Sequence, residues 1–223
     1  KGVASAAKKA GRDAGEGIIA QYLNYDRSKG ILVEVNCETD FVAKNKDFIS
    51  FSQEVAQNLL GNPEIDLESK RTEQVAKIGE NIRISRSESL APSGNGLVES
   101  YVHTGSKVAV LIAISSEFPL AEGSKAKVQS LAKDLCMHIA ATSPVCVSRD
   151  NVPSELVEKE KEIALAQAEG KPPQAIEKIV QGKLEKYFST SCLLEQPFVK
   201  DPDYAIKDLL SSLGKEVGTE LGV

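Results

Sequence analysis

The chain repeats itself. Gly17-Ile18-Ile19-Ala20-Gln21-Tyr22 lines up with Gly96-Leu97-Val98-Glu99-Ser100-Tyr101, and Ser28-Lys29 before the apolar run Ile31–Val35 lines up with Ser106-Lys107 before Ala109–Ile114. A self-match of this kind constrains the fold more than any single motif, because each copy reads as one supersecondary unit built the same way. In each copy two strand-like runs flank a turn and are followed by a helical pattern, one beginning near Lys46 and the other near Ser124. The first copy continues through Val75–Asn81, where Gly79 is suited to end a helix, into the alternating run Ile82–Ser87. Ser212-Leu213-Gly214-Lys215-Glu216-Val217 resembles that helix end, and the chain stops at Gly222-Val223, where the third strand of the second copy would begin. The expected class is α+β: two repeated three-stranded antiparallel sheets with helices on one face. The second sheet is expected to lack its last strand and to leave an edge vacant near Ala109–Ile114 or Leu97–Tyr101.

The second copy also carries an insertion. From Ser154 to Phe188 charged helical patterns surround the breaker Gly170-Lys171-Pro172-Pro173. Leu156 and Val157 recur seven residues on as Ile163 and Ala164, and Ile176, Ile179, Val180, Leu184 and Tyr187 share one stripe of the returning helix. Two such stripes predict an antiparallel helical hairpin of coiled-coil type, either protruding as an arm or packed flat. The expected boundaries are 1–14 as the lead-in to the core, 15–92 as the first core subdomain, 93–152 with 189–223 as the second, and 153–188 as the hairpin insertion.

Composition narrows the function. A net charge of -5 over 223 residues counts against a nucleic-acid binder, which shows a basic stripe, although Lys8, Lys9 and Arg12 form a small basic cluster. No apolar run approaches the roughly 20 residues of a membrane-spanning helix. Cys37, Cys136, Cys146 and Cys192 are too dispersed for a zinc site and read as buried reduced thiols. No phosphate loop is present, since Gly105-Ser106-Lys107 precedes a strand rather than following one. No nucleophile elbow is present either, and neither His103 nor His138 is paired with a nucleophile. The residues predict no catalytic group, no metal and no cofactor, and so an interaction protein.

The stretch Asn36-Cys37-Glu38-Thr39-Asp40-Phe41-Val42-Ala43-Lys44 follows the apolar run Ile31–Val35. On its residues alone it has two readings. Thr39 or Asp40 caps the next helix and Phe41 enters the core, or Phe41 faces outward for a partner. The run Glu34–Lys44 resembles the signature of the translation elongation factor Ts family. Ala7-Lys8-Lys9-Ala10-Gly11, Lys77-Ile78-Gly79-Glu80-Asn81, Ser100-Tyr101-Val102-His103, Met137-His138-Ile139-Ala140-Ala141 and Gln196-Pro197-Phe198-Val199 are similar to further family motifs, in family order.

The resemblance implies guanine-nucleotide exchange on elongation factor Tu, without covalent chemistry, in the cytoplasm. Asp40 and Phe41 would be pushed into the partner near its magnesium and phosphate site, releasing GDP so that GTP can bind. Thr39, Lys9, Ile78, Gly79, His103 and Val199 would be further contacts. No direct nucleic-acid partner and no membrane are expected. The family's small N-terminal helical module, similar to a ubiquitin-associated domain, is expected before Lys1 and is absent there, as is its final strand at the other end. The rival reading is a ribosome- or RNA-associated structural protein using the hairpin and the Lys8–Arg12 cluster, marked by steeply salt-dependent retention on RNA.

Overall fold

The structure, a computed structural model, describes residues 2–223. The chain forms two compact units, one up to Ala140 joined by Gly222, the other from Ala141 to Leu221. It is a mixed helix-and-sheet protein with small antiparallel sheets, as the α+β expectation requires.

In the first unit α1 (Gly2–Lys9) precedes a hairpin of β1 (Glu16–Leu23) and β2 (Gly30–Cys37). Then come α2 (Asp40–Ala43), α3 (Lys46–Gly61), α4 (Glu68–Ile78) and β3 (Arg83–Leu90), which completes a sheet of order β1-β2-β3. Strand β2 buries Ile31, Val33, Val35 and Cys37 while the residues between them stay half-exposed, the period-two pattern of a strand with one face on the core. Helix α3 lays Phe48, Phe51, Val55, Ala56 and Leu60 on the core at helical spacing, and it packs on β1 and β2. Asn45 starts α3 by accepting the Asp47 and Phe48 amides. Gly79 ends α4 in the left-handed conformation, φ 91°, as its sequence position suggests.

Strands β4 (Asn95–Val102) and β5 (Ala109–Ser116) form the second hairpin, followed by α5 (Glu122–Thr142) with His138 fully buried. Its third strand is not wholly lost. β8 (Leu221–Gly222) lies beside β5 as a two-residue strand, giving the order β4-β5-β8. Nor is the β4 edge wholly open, because the turn of each hairpin bonds the outer strand of the other. Ile19 on β1 donates its N–H to the Ser106 carbonyl (2.8 Å), and Val98 on β4 donates to the Arg27 carbonyl (2.7 Å). Ser106 and Arg27 are the non-glycine residues with positive φ in the two hairpin turns, at 55° and 57°. At the crossing the Ser100 hydroxyl donates to the Gln21 side chain. The Arg27 guanidinium holds the carboxylate of Glu99, a residue only 6% exposed, at 2.7 Å. A constant offset of 79 residues relates Ile19 to Val98, Gln21 to Ser100 and Arg27 to Ser106, so pairing Ser28 with Ser106 by residue type is one position out.

Gly17 and Gly96 stand at that same offset. Their φ values are +143° and +136°, and a Cβ at either would lie 2.2 or 2.0 Å from the carbonyl oxygen of Val35 or Ile114. Only glycine fits, because both the backbone conformation and the neighbouring strand exclude a side chain.

The second unit contains α6 (Ser154–Gln167) and α7 (Pro173–Ser191), packed on each other. The chain entering and leaving this pair is tied at its base, with Val145 N–H on the Ser191 carbonyl (2.8 Å) and Leu193 N–H on that of Cys146 (2.9 Å). Arg149 pairs with Glu185 (2.6 Å) and with Glu195, its guanidinium 4.7 Å above the Phe188 ring. All four cysteines are free thiols; Cys37, Cys136 and Cys192 are buried and Cys146 is half-buried. A small hairpin of β6 (Pro197–Phe198) and β7 (Asp201–Ala205), without a sequence counterpart in the expectations above, leads into α8 (Ile206–Val217). That helix ends on left-handed Gly218, as α4 ends on Gly79.

Replacing Gly96 by Ala is expected to cost about 1–3 kcal/mol from backbone conformation alone, before the clash is counted. Gly61→Ala, at a helical position with nothing near the added methyl, is expected to gain about 0.4–1 kcal/mol. A urea midpoint for Gly96→Ala equal to or above that of the parent would show that the Gly96 backbone is not constrained as described.

Candidate partner-binding site

The site begins where β2 runs out of ladder. Cys37 is the last paired residue, opposite Glu16, and its thiol donates to the Thr39 carbonyl at 3.2 Å. Burial, reinforced by the nearby Glu80 carboxylate, pushes that thiol up to about 11. The next two amides leave the sheet and are taken by Glu80, whose Oε2 accepts the N–H groups of Glu38 and Thr39, both at 3.0 Å. Oε1 of the same carboxylate accepts the Thr39 hydroxyl at 2.7 Å. Glu38 reaches back, accepting the Asn81 amide at 2.6 Å and lying 3.5 Å from Arg12. Asn81, 1% exposed, donates its side-chain amide to the carbonyls of Arg12 (2.8 Å) and Ala10 (3.4 Å). Residues 10–12, 38–39 and 80–81 are thereby tied into one polar knot.

On this knot sits α2, a single helical turn with no counterpart in the sequence expectations. Thr39 is its N-cap, extended at φ -127° and ψ 154°, with Oγ1 accepting from the Val42 amide at 3.3 Å. Ala43 is buried and Val42 packs on the core, but Phe41 is 81% exposed. Thr39 caps this turn, as the first reading has it, but Phe41 faces solvent, as the second does. Asp40 is exposed beside it and paired with Lys44 at 2.7 Å, whose ammonium holds the carboxyl below its ordinary range. Such an exposed pair adds little stability.

Two of the other predicted residues adjoin this knot. Ile78 and Gly79 directly precede Glu80, half-buried and exposed respectively. The Lys9 ammonium lies 3.9 Å from where a Gly79 Cβ would be. His103 is exposed in the β4–β5 turn, with Nδ1 2.9 Å from the Tyr101 hydroxyl. Its turn reaches the same end of the first sheet, because Lys107 pairs at 2.5 Å with Glu16, the β1 partner of Cys37. Val199 is exposed in the β6–β7 turn of the second unit. Among the described residues no cluster of three or more His, Cys, Asp or Glu side chains could hold a metal, and no helix is long and apolar enough to cross a membrane. The arrangement offers an exposed aromatic on a hydrogen-bonded base.

Sequence reasoning quoted Glu80 and Asn81 without seeing their task. The available signal was a carboxylate and an amide directly after a helix-ending glycine.

Residues 38–221 match the family model described as "Elongation factor TS". The chain belongs to the elongation factor Ts family. It is 42% identical to elongation factor Ts of Clostridium perfringens (strain SM101 / Type A) over 240 residues, covering 100% of this chain and 77% of that protein. It is 44% identical to elongation factor Ts of Alkalilimnicola ehrlichii over 232 residues, covering 97% and 75%. Elongation factor Ts of Clostridium botulinum (strain Eklund 17B / Type B) is 39% identical over 239 residues, covering 100% and 77%. The elongation factor Ts match begins at Glu38, within the polar knot.

Because Phe41 is exposed, Phe41→Ala is expected to leave the melting temperature within a few degrees of the parent. Phe48→Ala, at a fully buried position, is expected to lose about 3–5 kcal/mol. Comparable losses in both would place Phe41 in the core in solution.

Proposed function

We propose that this chain binds elongation factor Tu in its GDP form and promotes GDP release, with Asp40 and Phe41 as the wedge and Thr39, Lys9, Ile78, Gly79, His103 and Val199 as further contacts. The observation that carries the proposal is the exposure of Phe41 on a capped turn whose neighbours Val42 and Ala43 are anchored inside. GDP in such partners is held by backbone amides at a helix N-terminus and by magnesium. A wedge that disturbs those ligands favours the empty state. Coupling is reciprocal, so a protein that binds the empty partner better than the GDP-bound partner weakens GDP by the same factor. Burying an aromatic supplies about 1.5–3 kcal/mol, so the surrounding contacts must hold the complex while Phe41 acts. The exchange involves no covalent step, and a cytoplasmic setting follows from the process.

The two hairpins are, in this reading, copies of one unit; the matching glycines and the reciprocal turn-to-strand bonds at offset 79 support that duplication. The core subdomains then follow the boundaries 15–92 and 93–152 with 189–223. Helices α6 and α7 form the inserted antiparallel hairpin of residues 153–188.

The test is release of labelled GDP from elongation factor Tu. The parent is expected to accelerate release, and Phe41→Ala to slow that accelerated rate roughly tenfold or more if the wedge supplies about 1.5 kcal/mol. Affinity for nucleotide-free partner is expected to fall less. A Phe41→Ala variant that melts normally and exchanges at the parental rate would remove Phe41 from the mechanism.

A further inference from the structure

Phe41 is exposed, so its own packing does not aim it. We infer that Glu80 is a positioning residue for exchange, fixing the direction in which Asp40 and Phe41 project; the inference rests on the wedge reading above. A wedge acts only where its support holds it to within a fraction of an ångström and a few tens of degrees. The single Glu80 carboxylate collects three donors, the amides of Glu38 and Thr39 and the Thr39 hydroxyl. Hydrogen bonds to an ionised acceptor are roughly twice as strong as neutral ones.

The third of these donors matters most. With its proton directed to Glu80, Thr39 Oγ1 turns a lone pair to the Val42 amide. Glu80 therefore sets the hydroxyl rotor that caps α2, and the cap sets where the turn carrying Phe41 begins.

The clamp also has a return strap. Glu38 accepts the Asn81 amide, so residues 38–39 and 80–81 are tied in both directions. Gly79, left-handed and exposed, adjoins this strap, and Ile78 precedes it. A partner surface resting on Ile78 and Gly79 is thus referred to Phe41 through one carboxylate. Glu80 need not touch the partner to matter. It is not one of the contact residues named above.

The test is a double-mutant cycle on the full chain with Glu80→Gln and Phe41→Ala, read as GDP release from elongation factor Tu. Glutamine keeps the shape but loses the charge and replaces one acceptor oxygen with a donor that faces other donors. Glu80→Gln is expected to lower the saturated release rate roughly tenfold, the scale of a charge-assisted hydrogen bond, with less than about a threefold change in the half-saturating concentration. In the Phe41→Ala background it is expected to slow release far less, with Asp40 alone left to be aimed, because coupled residues are non-additive. An equal slowing in both backgrounds, or a change confined to the half-saturating concentration, would make Glu80 a structural or contact residue and overturn the inference. A parental rate for Glu80→Gln beside a slow Phe41→Ala overturns the positioning role alone. A parental rate for Phe41→Ala removes the wedge and this role together. Should Glu80→Gln not fold, Thr39→Val, which removes the hydroxyl that links Glu80 to the α2 cap, enters the same cycle under the same criteria.

Discussion

Two backbone hydrogen bonds, Ile19 to Ser106 and Val98 to Arg27, hold the first unit's hairpins in register. β1 and β4 are each the outer strand of a three-stranded sheet. The middle of an outer strand presents amides that a sheet cannot satisfy and that other chains could capture. Here each hairpin's turn supplies the carbonyl that the other hairpin's outer strand lacks. Each outer strand thus has one mid-strand amide satisfied by the other hairpin rather than by its own sheet. The carbonyl can reach the strand because Arg27 and Ser106 take positive φ, an uncommon conformation for residues with a Cβ. At Arg27 the same residue also neutralises buried Glu99, so one turn satisfies a backbone amide and a buried charge together.

That arrangement explains which parts of the fold were legible in the sequence. Gly17 and Gly96 were visible as the first letters of matching segments because the neighbouring strand leaves no room for any other residue. Gly79 was visible because a left-handed helix end selects glycine. The turns misled, since what recurs there is a backbone conformation carried by Arg27 in one hairpin and Ser106 in the other. Matching side-chain letters aligned Ser28 with Ser106 instead. The β6–β7 hairpin and the single turn α2 are too short to express a period of either 2 or 3.6 residues. The third strand of the second sheet lies where the repeat places its start, but at two residues it carries no pattern of its own.

The site divides the same way. Thr39, Asp40 and Phe41 were legible as a cap, a carboxylate and an aromatic at a strand end, although the residues alone left open which way Phe41 faced. The knot beneath them was illegible, because its parts come from residues 10–12, 38–39 and 80–81. A hydrogen bond between positions some forty residues apart leaves no local signature. The burial of Asn81 is the clearest case. Its side chain reads in sequence as a turn or loop residue, yet it bridges the α1–β1 connection to the segment after α4.

The same knot accounts for how an aromatic can stay outside without loosening the protein. Successive residues of a helical turn point about 100° apart, so four residues divide into an inner pair, Val42 and Ala43, and an outer pair, Asp40 and Phe41. The inner pair supplies the packing and the Thr39 cap supplies the start, leaving the outer pair with no core packing to supply. Apolar burial nearby comes instead from Phe48, Phe51 and Val55 on the following helix. A four-residue helix has too few internal hydrogen bonds to persist alone. Its contacts with the rest of the protein include the Thr39 cap and, through it, the carboxylate of Glu80. The packing of this region and the exposure of Phe41 thus rest on different side chains, so a substitution at Phe41 can leave Phe48, Phe51 and Val55 packed as before.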